Sequence, residues 1–342
     1  QDIRLDYDRQ TDTSATVESA RNFANKLWNA TRFALMNLGE TTFDETFNSF
    51  DYSDLELSDQ WILSRLSKVN IETAKRYSNY ALGEAAKGLY EFAWNDFCDW
   101  YLELIKHRLN IGDSSTKEDL RNRHKAQLIM FKVLREFLVM MHPLMPHLTE
   151  ELWHGVTGFS EDKLLARQSW PEFNSEFCND KLERSFSELF DSIRLVRNLR
   201  AEAGLKPSQE APVRFLTTNK NLLDLLKKSM TDIQVLTRAS KVEIYDPQEI
   251  KAESSSKSLA GVSGDLEVIL PIEGLVDLKA LRARLHKDLS KAEKEITILA
   301  NRLKNPSFTQ KAPEKVVLEC KAKLSDAESQ AELVTQRLLG LN

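Results

Sequence analysis

Three histidines and two glutamates crowd the stretch HPLMPHLTEELWH: His142, His147, Glu150, Glu151 and His154. Imidazoles and carboxylates this close in sequence are the raw material of a metal site or of acid–base chemistry. The spacing is neither HExxH nor HxxEH, the arrangements that put ligands and base on one helical face. Pro146 also sets His142 in a separate backbone segment. The stretch reads first as a corner of a helical bundle, with a metal centre on His147 and His154 as the sharper alternative. Phosphate loops fare no better, because GVTG at 155–158 and GVSG at 261–264 lack the second half of GxGxxG or GxxxxGK[ST]. No GxSxG elbow occurs. No catalytic residue, metal ligand or cofactor site is assigned to this chain.

Nucleic-acid chemistry has better material. One helical stretch near the amino end carries Arg21, Asn22, Lys26, Trp28, Asn29, Arg32 and Phe33. It mixes phosphate donors, amides able to read base edges and rings able to stack on unpaired bases. Helical spacing sets Asn22, Lys26, Asn29 and Phe33 along one face. The plain alternative is the polar outer face of an amphipathic helix. A second aromatic group, Trp94, Phe97, Trp100 and Tyr101, reads as core.

The elements that must position these residues are mainly α-helical. Apolar residues at helical spacing (Ala20, Phe23, Ala24, Leu27, Trp28, Phe33, Leu35) predict a first helix ending near Gly39, followed by an acidic loop over 40–56. Ser58 reads as the cap of a second helix. A third helix is predicted over 82–110 and a fourth over 117–141, with Thr149 as the cap of a fifth. Short links make this an up-and-down bundle. A polar linker at 160–177 leads to a helix over 178–203, closed by Gly204.

PVRFLTT, KVEIYD, SLAGV and LEVILPI then read as strands of a small α+β module, with a helix at LLDLLKKSM. From Leu275 the helical period returns. Leu281, Leu285, Leu289, Ala292, Ile296, Leu299 and Leu303 are answered by Val317, Cys320, Leu324, Ala327, Ala331, Val334 and Leu338. Alternating steps of three and four are the seam of an antiparallel coiled-coil hairpin, with arms of about 40 Å. The expected domains are a bundle with its linker at 1–177, the α+β module at 178–274 and the hairpin at 275–342.

Composition is compatible with these parts. The 342 residues are 42% hydrophobic and 29% charged, and no apolar run is long enough to span a membrane. Three scattered cysteines exclude a CxxC zinc pattern and fit a reducing compartment. The net charge of −5 is uneven: residues 275–342 hold 13 Lys+Arg against 9 Asp+Glu, and the remainder 34 against 43. A basic finger on an acidic body points to a polyanionic partner for the finger, or to a merely solvated coiled coil. The opening QDIRLDYDRQTD has no initiator Met and no leader pattern, the expectation for a piece of a longer chain.

Four stretches together carry a family resemblance: RNFANKLWNATRF at 21–33, YEFAWNDFCDWYLELIK at 90–106, MHPLMPHLTEELW at 141–153 and LKNPSFTQKAPEKVV at 303–317. They resemble the carboxy-terminal part of class I aminoacyl-tRNA synthetases of the bacterial valyl type. The HPLMPHLTEELW corner is similar across the isoleucine, leucine and valine enzymes, whereas the hairpin with KAPEKVV after its turn is the valine-specific feature. The chain departs from the family's pattern at ITILA (296–300) and LEC (318–320), where a more charged run is usual.

The resemblance implies an anticodon-binding bundle, with Arg21, Asn22, Lys26, Asn29, Arg32 and Phe33 beside the anticodon. It also implies that Arg302, Lys304, Phe308, Lys311, Lys315 and Lys321 of the hairpin meet the tRNA elbow. Whether Phe308 stacks on RNA or closes the turn stays open. HIGH-like and KMSKS-like signatures are missing, and SSSKS at 254–258 is no substitute. The implied role is therefore a tRNA-binding part without catalysis of its own, with ATP and Mg belonging to the full-length enzyme. The implied partner is tRNA(Val), with neither DNA nor membrane, and the implied state is a cytoplasmic monomer. The competing reading is a non-catalytic coiled-coil scaffold that binds a protein partner.

Overall fold

The computed structural model describes residues 7–8, 13–38, 54–112, 115–158, 163–247 and 257–341, with the side chains of 13 and 309–311 outside the description. The stop expected at Gly39 and most of the loop expected over 40–56 lie outside these residues. The chain packs as two compact units, 1–186 and 187–342.

The first unit is a helical bundle behind a small antiparallel pair, β1 (Tyr7–Asp8) and β2 (Thr13–Ser14). Helix α1 (Ala15–Leu38) buries Phe23, Leu27, Ala30, Thr31, Ala34 and Leu38, a stripe at three- and four-residue steps. Leu35, counted on the apolar face, is 37% exposed, and Trp28, counted both on that face and among the rings able to stack on bases, is 46% exposed. Each follows a stripe residue by one position, which turns it about 100° away.

Helix α2 (Leu57–Ser78) starts after Glu56, and Ser58 does not cap it: Ser58 and Asp59 are both buried. The expected third helix is three consecutive segments, α3 (Leu82–Glu91), a π-helical stretch Phe92–Tyr101 and α4 (Leu102–Leu109). Helix α5 (Lys117–Met141) begins with a capping box in which Thr116 and Asp119 each satisfy the other's backbone N–H, at 3.1 and 2.8 Å.

Pro146 occupies the first turn of α6 (Pro146–Thr157), where its missing N–H costs nothing. The helix thus starts before Thr149, which is not its cap. Thr149 is fully buried within α6; its hydroxyl donates to the Met145 carbonyl at 2.9 Å and lies 2.8 Å from His142 Nδ1.

The expected linker is a strap fastened to the bundle. Trp170 donates its indole N–H to Asn70 Oδ1 at 2.6 Å, and Asn70 donates to the Pro171 carbonyl at 3.0 Å. Helix α7 (Asp180–Ala203) follows and stops at Gly204, whose φ of 76° suits a residue without a Cβ.

In the second unit all four expected strands are present. β3 (Ala211–Thr217) and β4 (Ala239–Tyr245) run parallel, joined by α8 (Lys220–Lys228) and α9 (Met230–Thr237). β6 (Leu266–Pro271) pairs antiparallel with both β3 and β5 (Ser258–Ser263), giving the order β4-β3-β6-β5. Alternate residues of β3, from Ala211 to Thr217, are buried, as a strand with one covered face requires.

The hairpin is α10 (Leu278–Lys304) and α12 (Glu314–Gly340), and a short helix α11 (Pro306–Lys311) lies in the turn between them. Asn305 caps α11 by accepting from Ser307 N at 2.9 Å. Every expected seam residue is buried or half-buried. The root of the hairpin is held by Arg337, 2.5 Å from Glu202, and by a hydrogen bond from Arg282 to the Leu341 carbonyl. The architecture is mainly α: a helical bundle, a small α+β module and an antiparallel coiled-coil hairpin.

Candidate nucleic-acid interface

Among the described residues of the first unit, α1 exposes a mixed strip. Arg21, Asn22, Asn29 and Arg32 are exposed, and Lys26 and Phe33 are half-buried between them. Arg21 lies 3.9 Å from Glu18, one turn before it. The half-burial of the other two has a definite cause, because the buried stripe of α1 sets that flank against the π-helical stretch and α4. The Lys26 ammonium sits 3.9 Å from the centre of the Trp94 ring and also hydrogen-bonds Asp99. Phe33 has the Lys106 ammonium 5.9 Å over its ring, and Lys106 in turn bonds Glu103.

Trp94 was expected in the core with Phe97, Trp100 and Tyr101. Those three are buried, but Trp94 is half-buried at the rim, stacked on Tyr90 with ring centres 5.5 Å apart. Its place beside Lys26 depends on the backbone type of its segment, which no apolar periodicity reveals.

Sequence reasoning therefore missed three members of this strip, Trp94, Asp99 and Lys106. The same π-helical stretch turns Asp96 towards α2, where Arg65 Nε lies 2.8 Å away. Burial pushes the Asp96 carboxyl up from the ordinary carboxylate range, with Arg65 working against it.

At the far end of the hairpin, Arg302, Lys304, Lys315 and Lys321 are all exposed, and the side chain of Lys311 lies outside the described residues. The heptad sets Lys304 and Lys321 on one flank of the seam, Arg302 on the other and Lys315 on the outer surface. They make a basic sleeve rather than one face. Phe308 is not a bare ring: it is half-buried, and the Arg302 guanidinium lies 4.4 Å over it. The apolar departures at 296–300 and 318–320 place Ile298 and Leu318 outside the seam, 66% and 57% exposed.

The histidine corner gathers differently from the metal alternative. Glu150 accepts hydrogen bonds from Leu165 N at 2.7 Å and Ala166 N at 3.2 Å, and lies 3.2 Å from His154 and 3.9 Å from His142. His147 and Glu151 point into solvent. Glu150 thus pins the strap to α6. Among the described residues no three His, Cys, Asp or Glu side chains converge as metal ligands would, and no helix is long and apolar enough to cross a membrane.

Comparison with known proteins supplies the class first. Residues 59–215 match the anticodon-binding domain of tRNA ligase, a range that includes the π-helical stretch and α4 and begins after α1. Residues 277–342 match the valyl tRNA synthetase tRNA binding arm. A valine–tRNA ligase of Prochlorococcus marinus is 76% identical over 341 residues, that of Parasynechococcus marenigrum 59% over 342, and that of a Synechocystis species 41% over 341. These cover 99–100% of this chain and 36–37% of each relative, so the chain spans little more than a third of their length. The chain belongs to the valyl-tRNA synthetase family, as a tRNA-binding carboxy-terminal part.

Proposed function

We propose that this chain binds tRNA(Val) at two places. The α1 strip with Lys26, Asn29 and Phe33 at its centre meets the anticodon, flanked by Arg21, Asn22 and Arg32. The hairpin's basic sleeve, Arg302, Lys304, Lys315 and Lys321, meets the elbow, and Lys311 of the same turn joins it there. The observation that carries the reading is the α1 strip itself: amides, a cation and a ring lie side by side, packed directly on a stretch matched to an anticodon-binding domain. Such a set combines hydrogen bonding to base edges with stacking, as recognition of unpaired RNA demands. Holding the tRNA at both places fixes where its acceptor end lies, which is how a remote domain serves a reaction. Activation of valine with ATP and Mg is the work of the remaining length of such an enzyme, in the cytoplasm.

Phe308 acts here by closing the hairpin turn under Arg302. Its half-burial and the guanidinium over its ring favour that role over stacking on RNA. The seam residues are buried or half-buried between α10 and α12, which favours a monomer over a scaffold that dimerises through that seam.

Fluorescence anisotropy of labelled tRNA(Val), an anticodon-swapped tRNA(Val) and a phenylalanine tRNA across a salt series tests this. The reading expects preference for tRNA(Val) and affinity falling with log salt. Equal binding to all three would overturn it.

A further inference from the structure

A π-helical stretch ten residues long is an uncommon way to build a bundle helix, because i→i+5 hydrogen bonding usually occurs as single turns, often at functional sites. Here it has an identifiable geometric effect. Trp94 and Asp99 are five residues apart. In an α-helix, residues at that separation point about 140° away from each other. Where hydrogen bonds span five residues, they return to nearly the same face. Both side chains reach one group, the Lys26 ammonium: the indole ring at 3.9 Å and the carboxylate by a hydrogen bond. Tyr90 stacks on Trp94, and Phe23 of α1 packs on Tyr90 with ring centres 4.8 Å apart, so the indole is itself held in place.

We propose that Trp94 and Asp99 are positioning residues for RNA reading: the π-helical stretch exists to clamp Lys26 in one orientation and to mask its charge. This rests on the reading that the α1 strip meets the anticodon. A free lysine is a point charge on four rotatable bonds and binds any phosphate within reach. Clamped over a ring and balanced by a carboxylate, its ammonium presents fixed donors, and only a ligand offering acceptors at that place gains from them. Asp99 is half-exposed, with 48% of its side chain accessible, and Lys26 retains 25%. The clamp is therefore open to RNA on one side. Its expected effect is on discrimination more than on affinity.

The test measures affinity for tRNA(Val) and for its anticodon-swapped form with the full 342-residue chain. The variants are Lys26→Ala, Asp99→Asn, Asp99→Glu, Trp94→Leu and the double variant Lys26→Ala with Asp99→Asn, each checked by thermal melting. Lys26→Ala lowers the ratio of the two affinities. Asp99→Asn lowers it by up to about fivefold, mainly through tighter binding of the swapped tRNA, and Asp99→Glu restores most of it. Trp94→Leu lowers the ratio in the same direction. In the Lys26→Ala background Asp99→Asn changes nothing further, the signature of two groups acting as one. If Lys26→Ala lowers the ratio while Asp99→Asn and Trp94→Leu leave it within twofold of wild type, the clamp is refuted and the anticodon reading stands. If Lys26→Ala has no effect, the anticodon reading of this strip fails and the clamp with it.

Discussion

Arg108 and Asp59 form a buried ion pair across the bundle. Two guanidinium nitrogens lie 3.0 and 2.9 Å from the two carboxylate oxygens, with the side chains 7% and 0% exposed. The Tyr101 hydroxyl donates to the same carboxylate at 2.8 Å, and Arg108 donates to the Asn122 carbonyl at 3.1 Å. Burial first, and the Asp59 charge second, push the Tyr101 hydroxyl well above the usual range for a phenol, so it stays a donor. One acid thereby joins α2, the π-helical stretch, α4 and α5. Asp59→Ala leaves a guanidinium buried without its counter-charge and is expected to cost about 3–5 kcal/mol in urea unfolding. Replacing both residues with apolar ones of similar volume in a Tyr101→Phe background, which leaves no hydroxyl buried without its acceptor, should cost far less. Equal losses for the single and double variants would mean that the pair is not what matters there.

Arg302 and Phe308 supply a second relationship, at the turn of the hairpin. Removing the ring in Phe308→Ala frees Arg302, and RNA affinity is expected to fall about two- to fivefold, while Phe308→Tyr keeps it. Circular dichroism should show the hairpin still helical in both. Unchanged affinity in the alanine variant would mean that the turn Phe308 closes does not matter to RNA binding.

Two glycines in helices should respond oppositely to alanine. A Cβ on Gly340 would lie 2.8 Å from the Ser258 carbonyl oxygen, where the last turn of the hairpin packs on β5. That backbone cannot swing aside as a side chain can, so Gly340→Ala should destabilise the second unit by about 1–3 kcal/mol. Gly83 has nothing within 4 Å of its would-be Cβ. Gly83→Ala should stabilise the bundle by about 0.5 kcal/mol. Thermal melts of the two variants decide both.

The three cysteines should differ in reactivity. Cys178 is exposed, Cys320 is buried in the seam, and burial pushes the Cys98 thiol up to about 12. Since the thiolate is the nucleophile, iodoacetamide at pH 8 should modify Cys178 first and leave Cys98 untouched in the folded chain. Because the Cys98 thiol ionises near 9.0 when unfolded and near 12 when folded, its contribution to stability is complete below about pH 9 and is lost as pH rises towards 12. Peptide mapping after timed alkylation checks the order, and early labelling of Cys98 would contradict its placement.

Much of this arrangement was legible in the residues. The seam from Leu281 to Leu303 and from Val317 to Leu338 could be read step by step, because a 3.5-residue repeat has one way of burying itself. The four strands were legible for a similar reason: short β-branched runs between turn residues have few alternatives. Leu35 was misread, and Trp28 left with two readings, because both neighbour a stripe residue, and composition cannot say which of two adjacent apolar residues turns inward. Ser58 and Thr149 were misread as caps because both are good capping types. Asp59's buried partners and Pro146's early start decided otherwise.

The sequence by itself determined the family, the helical bundle, the sheet module, the hairpin and the basic character of its tip, since local periodicity and charge are properties of residue order. Only the tertiary structure decided how the α1 strip is held. The hydrogen-bonding pattern of residues 92–101 is set by what the helix packs against, and apolar spacing carries no trace of it. That pattern brings Trp94 and Asp99, on a different helix, to Lys26. The same holds for Phe308, whose role turns on the guanidinium that lies over its ring.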